Sequence, residues 1–355
     1  MSLPRVRQDL EVMEGYHSPQ VEAEVRLNTN ESPFSPPQAF TSQLTASIAQ
    51  MHLNRYPDRM SIALRTAIAE SEGTSIERVF AANGSNEVLQ SLLLAYGGPG
   101  RRSLVFEPTY ALHSHISRTT GTEVVSVARG EDFSLDSEQV VAAIDEAGPS
   151  ITFLCSPNNP TGLIEPLETV EAALEATDGL VVVDEAYGQF APESATGLFG
   201  GPGAERLIVT RTFSKTWGLA GARLGYALCD PRIVEACFSV ALPYHLSSLT
   251  QAAGLAVLSF GAEMEQHIEQ VVRERGALLE ELASLSVDVW DSKANFILFR
   301  PRQIEAAALW ASLLERSILV RDCSTWASLE GCLRVTIGTP EENHRFLEAM
   351  KEITR

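Results

Sequence analysis

The chain has 355 residues, 45% of them hydrophobic and 21% charged, with a formal net charge of −19. That length buries a large core and favours one big unit plus a smaller one. The acidic balance opposes nucleic acid as a partner, because a polyanion needs a basic face. No apolar run reaches the ~20 residues of a membrane helix, and the N-terminal stretch lacks the apolar segment of a secretory signal, so a cytoplasmic enzyme is expected.

In chain order, "ESPFSPPQAF" (31–40) reads as a linker between an N-terminal arm (1–30) and the first large unit (31–250). Six short apolar, β-branched runs follow: "RVFAANG" (78–84), "SLVFE" (103–107), "EVVSV" (123–127), "ITFLCSP" (151–157), "LVVVDE" (180–185) and "LIVTR" (207–211). Helical patterns such as "NEVLQSLLLAY" (86–96) separate several of them. Near-continuous apolar strands alternating with helices predict an α/β domain with a mainly parallel sheet covered on both faces.

Beyond residue 250 the pattern changes. A long amphipathic helix, "EQHIEQVVRERGALLEELASL" (265–285), leads into "VDVW", "NFILF", "ILVRD" and "LRVTIGT", with "AAALWASLLERS" among them and "PEENHRFLEAMKEI" closing the chain. This predicts a smaller α+β unit over 251–355, its last helix begun by Pro340. The five cysteines form no C-x-x-C pair and are read as reduced thiols. His113 and His115 could chelate from a strand, but no third ligand lies nearby, so they are read as structural and no metal is expected.

In an open parallel sheet ligands bind beyond the carboxyl ends of the strands. Gly84, Ser85 and Asn86 at a helix start offer free N–H groups for a phosphate. Thr212, Ser214 and Arg223 offer two hydroxyls and a guanidinium fork for the same anion. Tyr110 brings a flat ring, Asp184 a carboxylate at sheet depth, Asn159 and Tyr187 polar donors. Lys215, alone in the small and hydroxylated run "TRTFSKTWGLAGARLGY" (210–226), brings an amine able to attack an aldehyde. A phosphate cradle, a stacking ring, a buried acid and a reactive amine together describe a site for pyridoxal 5′-phosphate, with Lys215 as its Schiff-base anchor and proton carrier and Asp184 beneath the ring nitrogen.

With "VRLNTNESP", "RYPD", "ANGSNE", "EPTY", "SPNNPTG", "VVDEAYGQF", "RTFSKTWGLAGARLGY", "LPYHLSSLTQAA", "ILVRD" and "LRVTIGTPEEN" in this order, the chain resembles the fold-type I, pyridoxal phosphate-dependent aminotransferases, and within them the histidinol-phosphate aminotransferases. The resemblance implies a large domain with a mainly parallel seven-stranded sheet and a homodimer with its active sites at the interface. It implies that Tyr56 reaches the cofactor phosphate of the neighbouring subunit, and that Asn159 and Tyr187 bond the cofactor's phenolic oxygen. Arg334 occupies the place of the family's carboxylate-clamping arginine, and Arg321, Tyr16, Asn86 and Tyr244 match the residues around the substrate phosphate. The implied reaction is exchange of an amino group between L-histidinol phosphate and 2-oxoglutarate. Three departures stand out: Gly15 before Tyr16 where the family has proline, "NESP" for "NENP", and the bulky link "CSTWASLEG" (323–331), whose Trp326 could shape the side-chain pocket. An aromatic amino-acid aminotransferase, a threonine-phosphate decarboxylase and a ligand-sensing regulatory domain of the same fold stay open, the last opposed by the acidic charge.

Overall fold

The computed structural model describes residues 3–7, 10–11 and 21–354. After β1 (Val25–Leu27), helices α1 (Gln38–Ala49) and α2 (Ile62–Ser71) lead into seven strands: β2 (Val79–Ala82), β3 (Arg102–Glu107), β4 (Glu123–Ala128), β5 (Ile151–Cys155), β6 (Leu180–Asp184), β7 (Leu207–Thr212) and β8 (Gly225–Leu228). Their order in the sheet is β2-β8-β7-β6-β5-β3-β4. β3 to β7 run parallel, and β8 is antiparallel to both of its neighbours.

Between the strands run α3 (Ser85–Tyr96), α4 (Leu112–Thr119), α5 (Ser137–Ala147) and α6 (Leu167–Ala176), and after them α7 (Pro231–Val240) and α8 (Ser248–Leu258). Leu89 and Leu92 of α3 and Val234 of α7 pack with Phe80, Phe153 and Ile208 on one face. Val140 and Ile144 of α5 and Val170 of α6 pack with Leu104, Leu154 and Val181 on the other. β2, β5, β6 and β8 are buried at every residue, and the first three accordingly read in the sequence as apolar runs rather than alternating ones.

The second sheet has the order β1-β11-β12-β10-β9, with β9 (Val287–Val289), β10 (Phe296–Pro301), β11 (Ile318–Asp322) and β12 (Leu333–Thr336). Helices α9 (Gly261–Ala283), α10 (Ala306–Glu315) and α11 (Pro340–Ile353) cover it through Leu278, Leu309, Leu313 and Phe346. α11 starts with a reciprocal cap, Thr339 accepting from the Glu342 N–H while the Glu342 carboxylate accepts from the Thr339 N–H, with Pro340 in the first turn.

Two elements cross the expected bounds between an arm, a large unit over 31–250 and a smaller one over 251–355. β1, from the arm, pairs in parallel with β11 and is the edge of the smaller sheet. α8 straddles the boundary and packs through Ala253 and Val257 against Leu64, Ile68 and Phe213 of the large unit.

Candidate active site

The carboxyl ends of β2, β3, β5, β6 and β7 and one face of the smaller sheet enclose a cavity of about 340 Å³. Ser85, Asn86, Tyr110, Asn159, Asp184, Tyr187, Thr212, Ser214, Lys215, Arg223, Arg321 and Arg334 all line it, so twelve of the expected site residues converge.

At one end is an anion cradle. α3 begins at Gly84, which has φ +81° and makes no side-chain cap, so the N–H groups of its first turn face outward with the positive end of the helix dipole. A Cβ on Gly84 would lie 2.7 Å from an Arg223 terminal nitrogen, so only glycine admits the guanidinium here. Arg223 donates to Ser214 Oγ at 3.3 Å, and Thr212 Oγ1 donates to Ser214 Oγ at 3.0 Å. β8 presses against the same turn: a Cβ on Gly225 would meet the Ser85 nitrogen at 2.3 Å.

At the cavity floor Asp184 is buried at the end of β6. Its Oδ1 accepts from Thr210 Oγ1 at 3.1 Å and from the Ala186 N–H at 3.2 Å, and its Oδ2 lies 3.0 Å from His113 Nε2. A carboxylate oxygen accepts in such a pair, which makes His113 Nε2 the donor. His113 lies on α4, not on a strand as the sequence suggested, and it stacks on Phe153 with ring centroids 4.8 Å apart. The helix places it three residues beyond Tyr110, whose hydroxyl donates to Asn86 Oδ1 at 3.1 Å.

Lys215 Nζ donates to the Thr29 carbonyl at 3.0 Å. Its pKa is lowered from 10.5 to about 7, first by burial, then by the positive charge of Arg334, with Glu31 pulling the other way and Arg223 adding to the depression. Near neutrality the amine is therefore partly unprotonated, as a nucleophile and proton carrier must be. Tyr187 lies 5.8 Å from Nζ at its ring centre. Its hydroxyl accepts from Asn30 Nδ2 at 3.0 Å, and burial pushes its pKa up to about 12, keeping it a donor.

The opposite wall carries two arginines. Arg321 of β11 and Arg334 of β12 are cross-strand partners in register. Arg334 is buried, donates to Asn159 Oδ1 and at 2.9 Å to the Asn28 carbonyl, and lies 5.1 Å over the Phe296 ring. The bond to Oδ1 leaves the Nδ2 end of Asn159 to donate. Arg321 lies 5.5 Å over the ring of Trp326.

Two expected residues stand apart. Tyr56 is 80% exposed and Tyr244 40% exposed, and they stack on each other with centroids 4.4 Å apart, outside the cavity of their own chain. Tyr16 lies outside the described residues. Conversely, sequence reasoning gave no role to Asn28, Thr29, Asn30 and Glu31, which form one cavity wall. It also missed the tie between His113 and Asp184. The stretch "NTNES" beside the alternating triplet "VRL" was the available signal for the wall; the spacing of three from Tyr110 was the signal for His113.

These residues fit pyridoxal 5′-phosphate. Gly84, lacking a side chain, lets the Arg223 guanidinium close against the α3 N-terminus, Asp184 and Lys215 stand on the same cavity, and the volume suits a cofactor with a small substrate. Comparison with known proteins agrees with the architecture. The family described as aminotransferase class I and II matches residues 22–350. A histidinol-phosphate aminotransferase of Thermobifida fusca is 44% identical over 98% of this chain and 95% of its own, and one of Corynebacterium efficiens is 42% identical over 98% and 95%. The crystal structure of histidinol-phosphate aminotransferase from Sinorhizobium meliloti in complex with pyridoxal-5′-phosphate shares the fold, with a TM-score of 0.89 at 24% identity over 100% of this chain and 98% of that one. The chain belongs to the class I and II aminotransferases and, within them, to the histidinol-phosphate aminotransferase family.

Proposed function

We propose that this chain uses pyridoxal 5′-phosphate to exchange the amino group of L-histidinol phosphate with 2-oxoglutarate, giving imidazole acetol phosphate and L-glutamate in histidine biosynthesis. The observation that carries the reading is that Arg321 and Arg334 face each other in register on the wall opposite the anion cradle, with Lys215 lining the same cavity. One anionic group is thereby expected at each end. Relatives bearing the histidinol-phosphate aminotransferase name at 39–44% identity favour this substrate over the aromatic amino-acid and threonine-phosphate alternatives.

When bound, the cofactor supplies an electron sink for negative charge at the substrate Cα. The α3 N-terminus at Gly84, Ser85 and Asn86 would hold its phosphate, with Thr212, Ser214 and Arg223 completing the cradle. Tyr110 would cover the ring, Asn159 Nδ2 and the Tyr187 hydroxyl would donate to its phenolic oxygen, and Asp184 would face the ring nitrogen. Lys215 would anchor the cofactor covalently; once released, its neutral Nζ would take the substrate Cα proton and act as its carrier rather than return it to Cα. Arg334 and Arg321 hold the anions of the two substrates in turn, a phosphate in one half-reaction and carboxylates in the other. Because the same groups serve both substrates, ping-pong kinetics are expected.

A homodimer belongs to the same proposal. Tyr56 and Tyr244 stack on each other without lining this cavity, and Leu53, Leu242 and Leu249, within a few residues of them in sequence, are exposed. A second copy seated there would cover the apolar side chains and receive both tyrosines at its site. A cytoplasmic setting, with small molecules as the other partners, completes the reading. No helix among the described residues is long and apolar enough to cross a membrane.

The test is glutamate formation from 2-oxoglutarate by the cofactor-loaded protein with L-histidinol phosphate, L-phenylalanine and L-threonine phosphate in separate reactions. A kcat/KM for histidinol phosphate on the order of 10² above the others is expected, because buried polar groups reject a substrate that leaves them unpaired. Turnover of phenylalanine alone would sink the substrate assignment while leaving the chemistry intact.

A further inference from the structure

The two arginines of the anion wall are held by different means. Arg334 is fixed inside the protein: a neutral amide, a backbone carbonyl and the fully buried Phe296 ring surround it. Arg321 is half-buried, and its aromatic platform comes from the segment between β11 and β12, where Trp326 lines the cavity. That segment is pinned at both ends. Cys323 and Cys332 are buried and joined by a main-chain bond of 3.0 Å, and the Trp326 N–H donates to the Cys323 carbonyl at 2.9 Å. Leu329, three residues on, is fully buried in a cluster that Trp326 packs against. The indole is therefore a held surface on a short, otherwise exposed link.

We propose that Trp326 is a specificity-determining residue for the reaction proposed above, acting by positioning Arg321 toward the side-chain anion of the substrate. A ring lying over a guanidinium engages its face rather than its in-plane N–H donors, and so orients the fork. Stacking also offsets the cost of holding two arginines opposite each other before any anion arrives, which is preorganisation. A substrate with an anionic end at that depth gains from the arrangement, and one without it gains nothing. The selected class is thus an amine whose side chain ends in a phosphate, together with a 2-oxo acid bearing a second carboxylate.

The inference rests on the substrate reading, and its test separates the two. Steady-state kinetics and calorimetric binding would be measured for the loaded wild type and for Trp326→Ala, Trp326→Leu and Trp326→Phe, with L-histidinol phosphate and phosphate-free L-histidinol. The expected result for Trp326→Ala is a KM and dissociation constant for histidinol phosphate raised by about three- to tenfold, with the loss on KM rather than kcat. The kcat/KM preference for histidinol phosphate over histidinol falls by the same factor. Trp326→Phe recovers most of it, and Trp326→Leu, which packs but offers no π face, does not. Equal losses on both substrates, recovery by leucine as full as by phenylalanine, or no change in any variant overturns the proposal. If the wild type turns over histidinol phosphate, such results leave the reaction standing; if it does not, both fall together.

Discussion

His113 Nε2 and Asp184 Oδ2 are 3.0 Å apart, with both side chains withdrawn from solvent. Thr210 and the Ala186 N–H take the other carboxylate oxygen, so Asp184 is held by three donors from α4, β7 and its own strand end. Replacing His113 by Phe keeps the stacking on Phe153 but removes one donor. Turnover is expected to fall about tenfold, the usual cost of losing a partner that orients a functional group. Cofactor affinity, measured by equilibrium absorbance titration, should change far less. A variant with wild-type turnover would show that Asp184 needs no orienting partner.

The amine of Lys215 gives a pH prediction. Its folded pKa of about 7 lies below the ordinary 10.5. Below about pH 7 folded and unfolded chains both carry the proton, and the buried charge opposes folding in full. Between about 7 and 10.5 the folded chain has shed the proton and the unfolded chain keeps it, so stability rises with pH across that window. The Tm of cofactor-free protein should climb from pH 7 toward 9, and Lys215→Met should lose that increment as well as all turnover. The rate of cofactor capture by the wild type should rise with a midpoint near pH 7. A capture rate flat from pH 6 to 8.5 would refute the depressed pKa.

Gly84→Ala places a methyl 2.7 Å from the Arg223 guanidinium at a backbone φ of +81°. Destabilisation of about 1 kcal/mol or more is expected from the backbone conformation alone. Displacement of Arg223 should weaken binding of pyridoxal 5′-phosphate by at least about tenfold, as loss of one charge-assisted bond does. Both are read from thermal melts and a cofactor titration. Unaltered affinity would mean that Arg223 does not serve the cradle.

The stacked Tyr56 and Tyr244 are exposed, as are Leu53 and Leu242 close to them in sequence. Sedimentation of the wild type should give a dimer, and the double change Leu53→Asp and Leu242→Asp should give a monomer with turnover reduced at least about a hundredfold, because like charges and lost apolar burial act on an interface that completes the site. Tyr56→Phe should stay dimeric and bind cofactor more weakly. A fully active monomer would remove the neighbouring subunit from the chemistry.

Much of this architecture was legible because the large sheet is covered on both faces: β2 to β7 announced themselves as apolar runs whose ends carry the polar residues of the cavity. β8 did not, since its first two residues close a stretch (210–226) whose lysine and arginine drew the reading toward chemistry. β1 was hidden more deeply. Three residues have no readable period, and their partner strand begins 293 positions later, Val25 pairing with Ile318. The same separation concealed the wall residues, for the bond between Asn30 and Tyr187 spans 157 positions. His113 looked structural because no third metal ligand lies near it in sequence, and nothing local to it identifies a carboxylate 71 positions away.

β1 is hydrogen-bonded to the smaller sheet, and two residues beyond it the Thr29 carbonyl accepts from Lys215. This short piece of backbone is a lever with one end on each sheet. A shift of the smaller sheet toward or away from the larger one moves Glu31 and Arg334 relative to the amine, and both charges bear on how tightly Nζ holds its proton. The proton affinity of Lys215 is thereby a gauge of how far the two sheets have closed.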